Sequence, residues 1–157
     1  MTQSRKGVVA AIYSDATTLY TGQVGPDGSP VLVVYGAPGT YQPAAIVGVM
    51  NERNQIERPT MGTGRSRESV TEVDVVVSVW VEGAETVQQI ASEKCHDLID
   101  LLEQYVRLTD NTFGGACRDA WVSSVDGPVP SVTTDASGAP TGRTAEATVT
   151  ITSRIRY

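Results

Sequence analysis

The stretch 71-TEVDVVVSVWVEGAETVQQIASEKCHDLIDLLEQYVRLT-109 changes its hydrophobic period in the middle. Up to Val81 the period is two. Val73, Val75, Val77, Val79 and Val81 fall on one face, and Glu72, Asp74, Ser78 and Trp80 on the other, with Val76. That alternation predicts a half-buried β-strand. Glu82 and Gly83 interrupt it. From there Val87, Ala91, Cys95, Leu98, Leu102 and Tyr105 recur at spacings of three and four, the stripe of an amphipathic helix. Ile90, Ile99, Leu101 and Val106 widen that stripe, while Glu85, Gln89, Ser92, Glu93, His96, Asp100 and Glu103 form the opposite face.

The helix holds the single histidine of the chain and one of its two cysteines, side by side. Adjacent helical residues point about 100° apart. Cys95 therefore belongs to the apolar stripe, where a free thiol behaves as a small hydrophobe, and His96 to the solvated acidic face. A Cys–His nucleophile needs hydrogen-bond contact, which this divergence discourages. A zinc site needs three or four ligands, and Cys117 adds only one thiolate. The reduced state is the simpler expectation for both cysteines, although spacing alone leaves a Cys95–Cys117 bridge open.

Working outward, residues 5–20 place Val9, Ile12, Ala16 and Leu19 at helical spacing, which predicts a short N-terminal helix. Gly22, Gly25, Pro26, Gly28 and Pro30 then give turn chemistry. Strands are expected at 31–35 and 44–50, with Gly48 marking a bulge or a close backbone approach. Two more follow the long helix. One is 118-RDAWVSSV-125. The other is 145-AEATVTITSRIRY-157, with Ala147, Val149, Ile151, Ile155 and Tyr157 on one face and a Thr and Arg row on the other. Strands come in runs rather than alternating with helices, so the expected class is α+β: a mainly antiparallel sheet packed by one long amphipathic helix. The outward Thr and Arg row of the last strand should then face solvent or a partner.

Two segments, 52–69 and 126–143, are too long for tight hairpins and read as long loops or arms. Connections of that length are usually functional or disordered, and the first reads equally as a long, solvated β-hairpin arm or as a partner-binding arm. The first holds Arg53, Arg58, Arg65 and Arg67 against Glu52, Glu57 and Glu68, a basic excess in a chain of net charge −6. The acidic balance argues against general or sequence-specific nucleic-acid binding and against an anionic membrane surface. At 157 residues a single domain, 1–157, is expected. Neither a signal peptide nor a membrane span stands out, so the expectation is a soluble, intracellular protein. The sequence has no phosphate loop, HExxH, CxxC or GxSxG, and 62-GTGRSR-67 lacks the third glycine of a dinucleotide loop. No catalytic, metal or cofactor residue is nominated.

The order of these segments resembles the tail terminator proteins of long-tailed bacteriophages, also called tail completion or head–tail joining proteins. Several landmarks carry the resemblance: the strand and turn VLVVYGAP, the arm re-entering at Glu72, Glu82–Gly83 before the long helix, 107-RLTDNTFGG-115, and 142-GRTAEATVTITSRIRY-157. It covers nearly the whole chain. It implies an α+β subunit in a hexameric ring that caps the tail tube, ends its polymerisation and meets the connector on the head side, without cofactor or catalysis. The implied location is the tail–head junction of the virion, reached from the host cytoplasm. The implied partners are further copies of the chain, the tail tube protein and a head-side connector or stopper. Arg53, Arg58, Arg65, Arg67, Arg154 and Arg156 are then candidate contacts between subunits or with the tube, since acidic subunits need compensating charge where they meet. A head-closure or other neck protein, and a carboxylate-dependent enzyme, are the alternatives.

Overall fold

A computed structural model describes residues 3–56 and 68–156. The elements run α1 (Arg5–Leu19), β1 (Leu32–Tyr35), β2 (Ala45–Ile56), β3 (Glu68–Glu82), α2 (Gln88–Gln104), β4 (Asp119–Thr134) and β5 (Pro140–Arg156). A 3₁₀ turn, Glu85–Val87, leads into α2, and a π turn, Tyr105–Thr109, ends it. The class is α+β. The five strands form one sheet in the order β1-β2-β3-β5-β4. All neighbours are antiparallel except β1 and β2, which are parallel.

The valine strand is central, as its pattern requires. It pairs with β5 along its whole length, from Glu68↔Arg156 to Glu82↔Gly142. Its odd-numbered positions from Ser69 to Val79 are buried. Ala45, Val47 and Val49 of β2 and Ala145, Ala147, Val149 and Ile151 of β5 join them in a single core. Both helices cover this one face. Ser4 caps α1 by accepting a hydrogen bond from the Gly7 amide at 3.0 Å, and Val8, Val9, Ile12 and Ala16 point inward. α2 buries Ala91, Cys95, Leu98, Ile99 and Leu102. The phenol of Tyr20, just past α1, donates to the Leu98 carbonyl at 2.7 Å and joins the two helices at depth. Gly48 marks a close approach: a Cβ there would lie 3.3 Å from the Gly36 carbonyl oxygen.

Three expectations need correction. The segment 126–143 is not a loop but most of a β-hairpin, with β4 and β5 paired from Asp119↔Arg154 to Thr134↔Pro140. Gly127, Pro128 and Pro130 read as strand breakers, yet β4 is an edge strand, where missing donors are tolerated. The ladder absorbs the irregularity as a register shift between Asp126 and Val129. Gly127 is needed there: its φ is +104°, and a Cβ would sit 2.7 Å from the Glu146 carbonyl oxygen. The turn is tied by the Asp135 carboxylate, which accepts from the Ser137 and Ala139 amides at 2.9 and 3.0 Å.

The second correction concerns the outward row of β5. Thr150 and Thr152 are only 8% and 5% exposed. β5 lies inside the sheet, between β3 and β4, so longer side chains on its neighbours cover these short ones. Third, Ile90 does not widen the buried stripe of α2; it is 50% exposed. It stands to the side of the stripe in line with the exposed Glu93 and Asp97, whereas Ala91, next to it and about 100° round the helix, is fully buried.

The segment 52–69 divides. The β2–β3 ladder continues to Ile56↔Ser69, so the arm begins as paired strands, and residues 57–67 lie outside the described ones. At its root Thr71 Oγ1 donates to Asn54 Oδ1 at 2.8 Å and Ser153 Oγ donates to the Thr71 carbonyl at 3.2 Å. No described helix is long and apolar enough to cross a membrane.

Val77 has no exposed surface and faces α2 across the centre of the core. Val77→Asp puts an unpaired charge there, and at that cost the subunit should lose its cooperative thermal transition. His96→Ala, on the exposed side of α2, should melt within about 0.5 kcal/mol of the parent. Circular dichroism melts of both variants check the assignment of faces.

Candidate interaction surfaces

No helix packs on the second sheet face among the described residues, and its polar groups are arranged along the strands. At the end from which the arm leaves, charges are paired. Arg53 donates from Nη1 to Asp74 Oδ2 at 2.6 Å and from Nη2 to Asp74 Oδ1 at 2.8 Å, a bidentate fork, and from Nε to Glu72 Oε2 at 3.2 Å. Thr150 Oγ1 donates to Asp74 Oδ1 at 3.0 Å. The register explains the cluster, since Arg53 stands opposite Glu72 and Asp74 opposite Thr150. The Arg53 hydrogen bonds hold the Asp74 carboxyl below the usual carboxylate range, and the Thr150 hydroxyl adds to this.

Arg154 and Arg156 sit on the same end. The Arg154 guanidinium lies 5.3 Å from the centre of the Trp121 ring and 3.9 Å from Asp119 Oδ2. Arg156 pairs with Glu68 in the ladder, and its backbone amide donates to Gln3 Oε1 at 2.9 Å. Arg118 reaches Glu68 Oε1 at 2.8 Å. Of the six arginines nominated from sequence, the structure therefore places Arg53, Arg154 and Arg156 at one end of one face. Arg58, Arg65 and Arg67 lie outside the described residues.

The other end of this face is different. A recess of about 350 Å³ is lined by Ser78, Asp126, Val129, Thr144, Glu146 and Thr148, together with Ser131. A second, of about 330 Å³, shares Ser78 and Glu146 with it and runs on to Ile46, Gly48, Met50 and Val76. Together they form a trough across β4, β5, β3 and β2. Its described lining holds the two carboxylates of Asp126 and Glu146 and no lysine or arginine. Val129 of the edge strand, which stands opposite Glu146, is 58% exposed there. Sequence reading missed the trough because Asp126 and Val129 fell in a presumed loop.

Neither cysteine is placed for chemistry. Cys95 and Cys117 are both buried and free. The Cys95 thiol points at the Val77 carbonyl oxygen, 3.7 Å away, while His96 faces out. Burial, with the Glu146 charge adding, pushes the Cys95 thiol up to about 12; burial, with Asp119 and Asp110 adding, does the same for Cys117. Among the described residues no group of three or more His, Cys, Asp or Glu side chains is arranged to hold a metal ion.

Two outcomes check this geometry. The folded protein at pH 8 should react with a thiol reagent only as fast as it unfolds, and both cysteines should react at once in denaturant. Asp74→Asn weakens the fork to Arg53 and should cost on the order of 1–3 kcal/mol at neutral pH. The depressed Asp74 pKa means its stabilisation is present above the unfolded carboxylate range, about 3.9. It is lost as pH falls through the lower folded value. The gap between parent and variant should therefore close as the pH drops below about 4 in urea titrations. A gap that persists undiminished at pH 2 contradicts the assignment.

Comparison with known protein-family models gives no match, and neither does comparison with curated protein sequences.

Proposed function

We propose that this chain is a structural subunit of a long-tailed phage particle, a tail terminator that forms a ring, hexameric in this reading, on the end of the tail tube. The ring ends tube polymerisation and offers its other side to the head connector. The resemblance of segment order and landmarks brings the family in. The observation that supports it best is the second sheet face, left without a helix and divided into an arginine-bearing end and an acidic recessed end. Such a face suits contacts that pair unlike surfaces and close by rotation. A ring repeats each contact, so individually weak charge pairs suffice. The reaction class is none: the subunit acts by position.

The test uses tails that lack their own terminator. Purified protein added to them should appear in negative stain as a ring on the open tube end and should restore joining to filled heads. The arm contributes to this. Arg58, Arg65 and Arg67 replaced together by serine should leave the melting of the free protein within about 0.5 kcal/mol. Joined particles should fall several-fold, and further as salt rises and screens the remaining pairs. Normal joining by the triple variant at every salt concentration removes the arm from the interface. Protein that binds heads without tails, and not open tubes, replaces the terminator with a head-closure role.

A further inference from the structure

We infer that the acidic trough on the uncovered sheet face is a receptor for the 57–67 arm of a second copy of this chain. The inference deepens the ring reading and rests on it for the presence of that copy. Three observations carry it. The first is charge. The segment 57–67 carries Arg58, Arg65 and Arg67 against Glu57 alone. The trough carries Asp126 and Glu146, and its described lining supplies no cation to either. On the same face Arg53 already serves Asp74 and Glu72, and Arg154 lies near Asp119.

The second is reach. Arg65 is three residues from Glu68, and Arg58 is two from Ile56. Even fully extended, Arg65 gains at most about 10 Å from its anchor through backbone. Its side chain adds roughly 7 Å by the same bond-length reckoning. Glu146 pairs with Ser78 of β3, and Asp126 with Thr148, which pairs with Val76. At about 3.4 Å per strand residue, those positions lie roughly 27–34 Å along the sheet from Glu68. The arginines of the arm cannot reach the trough carboxylates, Asp126 and Glu146, of their own subunit. Another subunit's trough is open to them.

The third is shape. The alternative acidic surface is the outer side of α2, with Glu93, Asp97 and Asp100 exposed. It is convex, and Glu93 already accepts from Gln89 at 2.6 Å. The trough is concave, its two recesses meeting at Ser78 and Glu146. Its floor mixes Val76, Ile46 and Met50 with Ser and Thr hydroxyls, so it accepts both the stems and the heads of arginine side chains.

The experiment traps the contact in the full-length protein. One preparation carries Ser66→Cys in the arm; a second, of distinguishable mass, carries Ser131→Cys beside the trough. They are mixed with a short bis-maleimide, which accumulates transient encounters. A third preparation with Asp97→Cys on α2 serves as the comparison acidic surface. Melting curves first establish that each variant is folded. The expected result is a mixed dimer formed at least several-fold faster with Ser131→Cys than with Asp97→Cys. It should fall when Asp126 and Glu146 are changed to lysine in the receiving copy. It should return when Arg58, Arg65 and Arg67 of the arm are changed to glutamate in the other. Capture that is absent, equal at the two sites, or indifferent to both charge reversals overturns the inference. Capture with these properties by a protein that does not cap tails removes the tail reading and leaves this one. Capped tails without capture do the reverse.

Discussion

The β3–β5 ladder is the constraint on which the rest depends. Fifteen positions of β3, Glu68–Glu82, pair in unbroken register with β5. Across it the odd positions set Val73 against Ile151, Val75 against Val149 and Val77 against Ala147. A slip of one residue would turn these side chains to the opposite face and bring Asp74 and Glu72 under the helices. The register is therefore held by the core itself. Once it is fixed, α2 has only one face to cover, and its stripe through Cys95, Leu98 and Leu102 packs there. Tyr20 then locks α1 beside α2 through the Leu98 carbonyl.

The same ladder decides what happens on the uncovered side. Asp74, Thr150 and Arg53 meet because cross-strand neighbours on one face are about 5 Å apart. Asp74 is 7% exposed, and a buried carboxylate is tolerable only with its oxygens satisfied. The Arg53 fork and the Thr150 hydroxyl do that. Arg53 thereby pairs with Asp74 and Glu72 within the subunit while its side chain stays about half exposed. At the far end the described residues show no such pairing, and Asp126 and Glu146 line the trough. One sheet face thus has a closed electrostatic end and an open one.

The local pattern made the core legible in advance and left the surface illegible. The valine strand, the α2 stripe and the opposed directions of Cys95 and His96 follow from periods of two and 3.6, which are properties of neighbouring residues. Strand order is not such a property. Nothing between residues 145 and 157 states that β5 lies between β3 and β4, so the burial of Thr150 and Thr152 could not be read there. The hairpin over 126–143 was hidden for a different reason. Gly127, Pro128 and Pro130 carry strong turn preferences, and an edge strand with a register shift accommodates all three. The partners of Arg53 and the existence of the trough depend on register across strands distant in sequence. The nomination of the arginines came from charge balance alone, which locates a surface without locating what it meets.

Magnitudes bear on how such a subunit assembles. An exposed ion pair contributes about 0.2–1 kcal/mol, so three arginines in a trough with two carboxylates supply a few kcal/mol at most by the same measure. A dissociation constant of 1 μM requires about 8 kcal/mol. An arm contact built from charge is therefore too weak to hold two free copies together at ordinary concentrations. In the ring proposed above each subunit would give one arm and receive one, and a neighbour already seated on a template would raise the effective concentration of the next arm to the millimolar range. Weakness in the pair and strength in the closed ring then follow from one geometry. The 27–34 Å between the arm root and the positions of Asp126 and Glu146, estimated from strand rise, would keep a subunit of the proposed ring from pairing its own arm with these carboxylates, leaving them for a second copy.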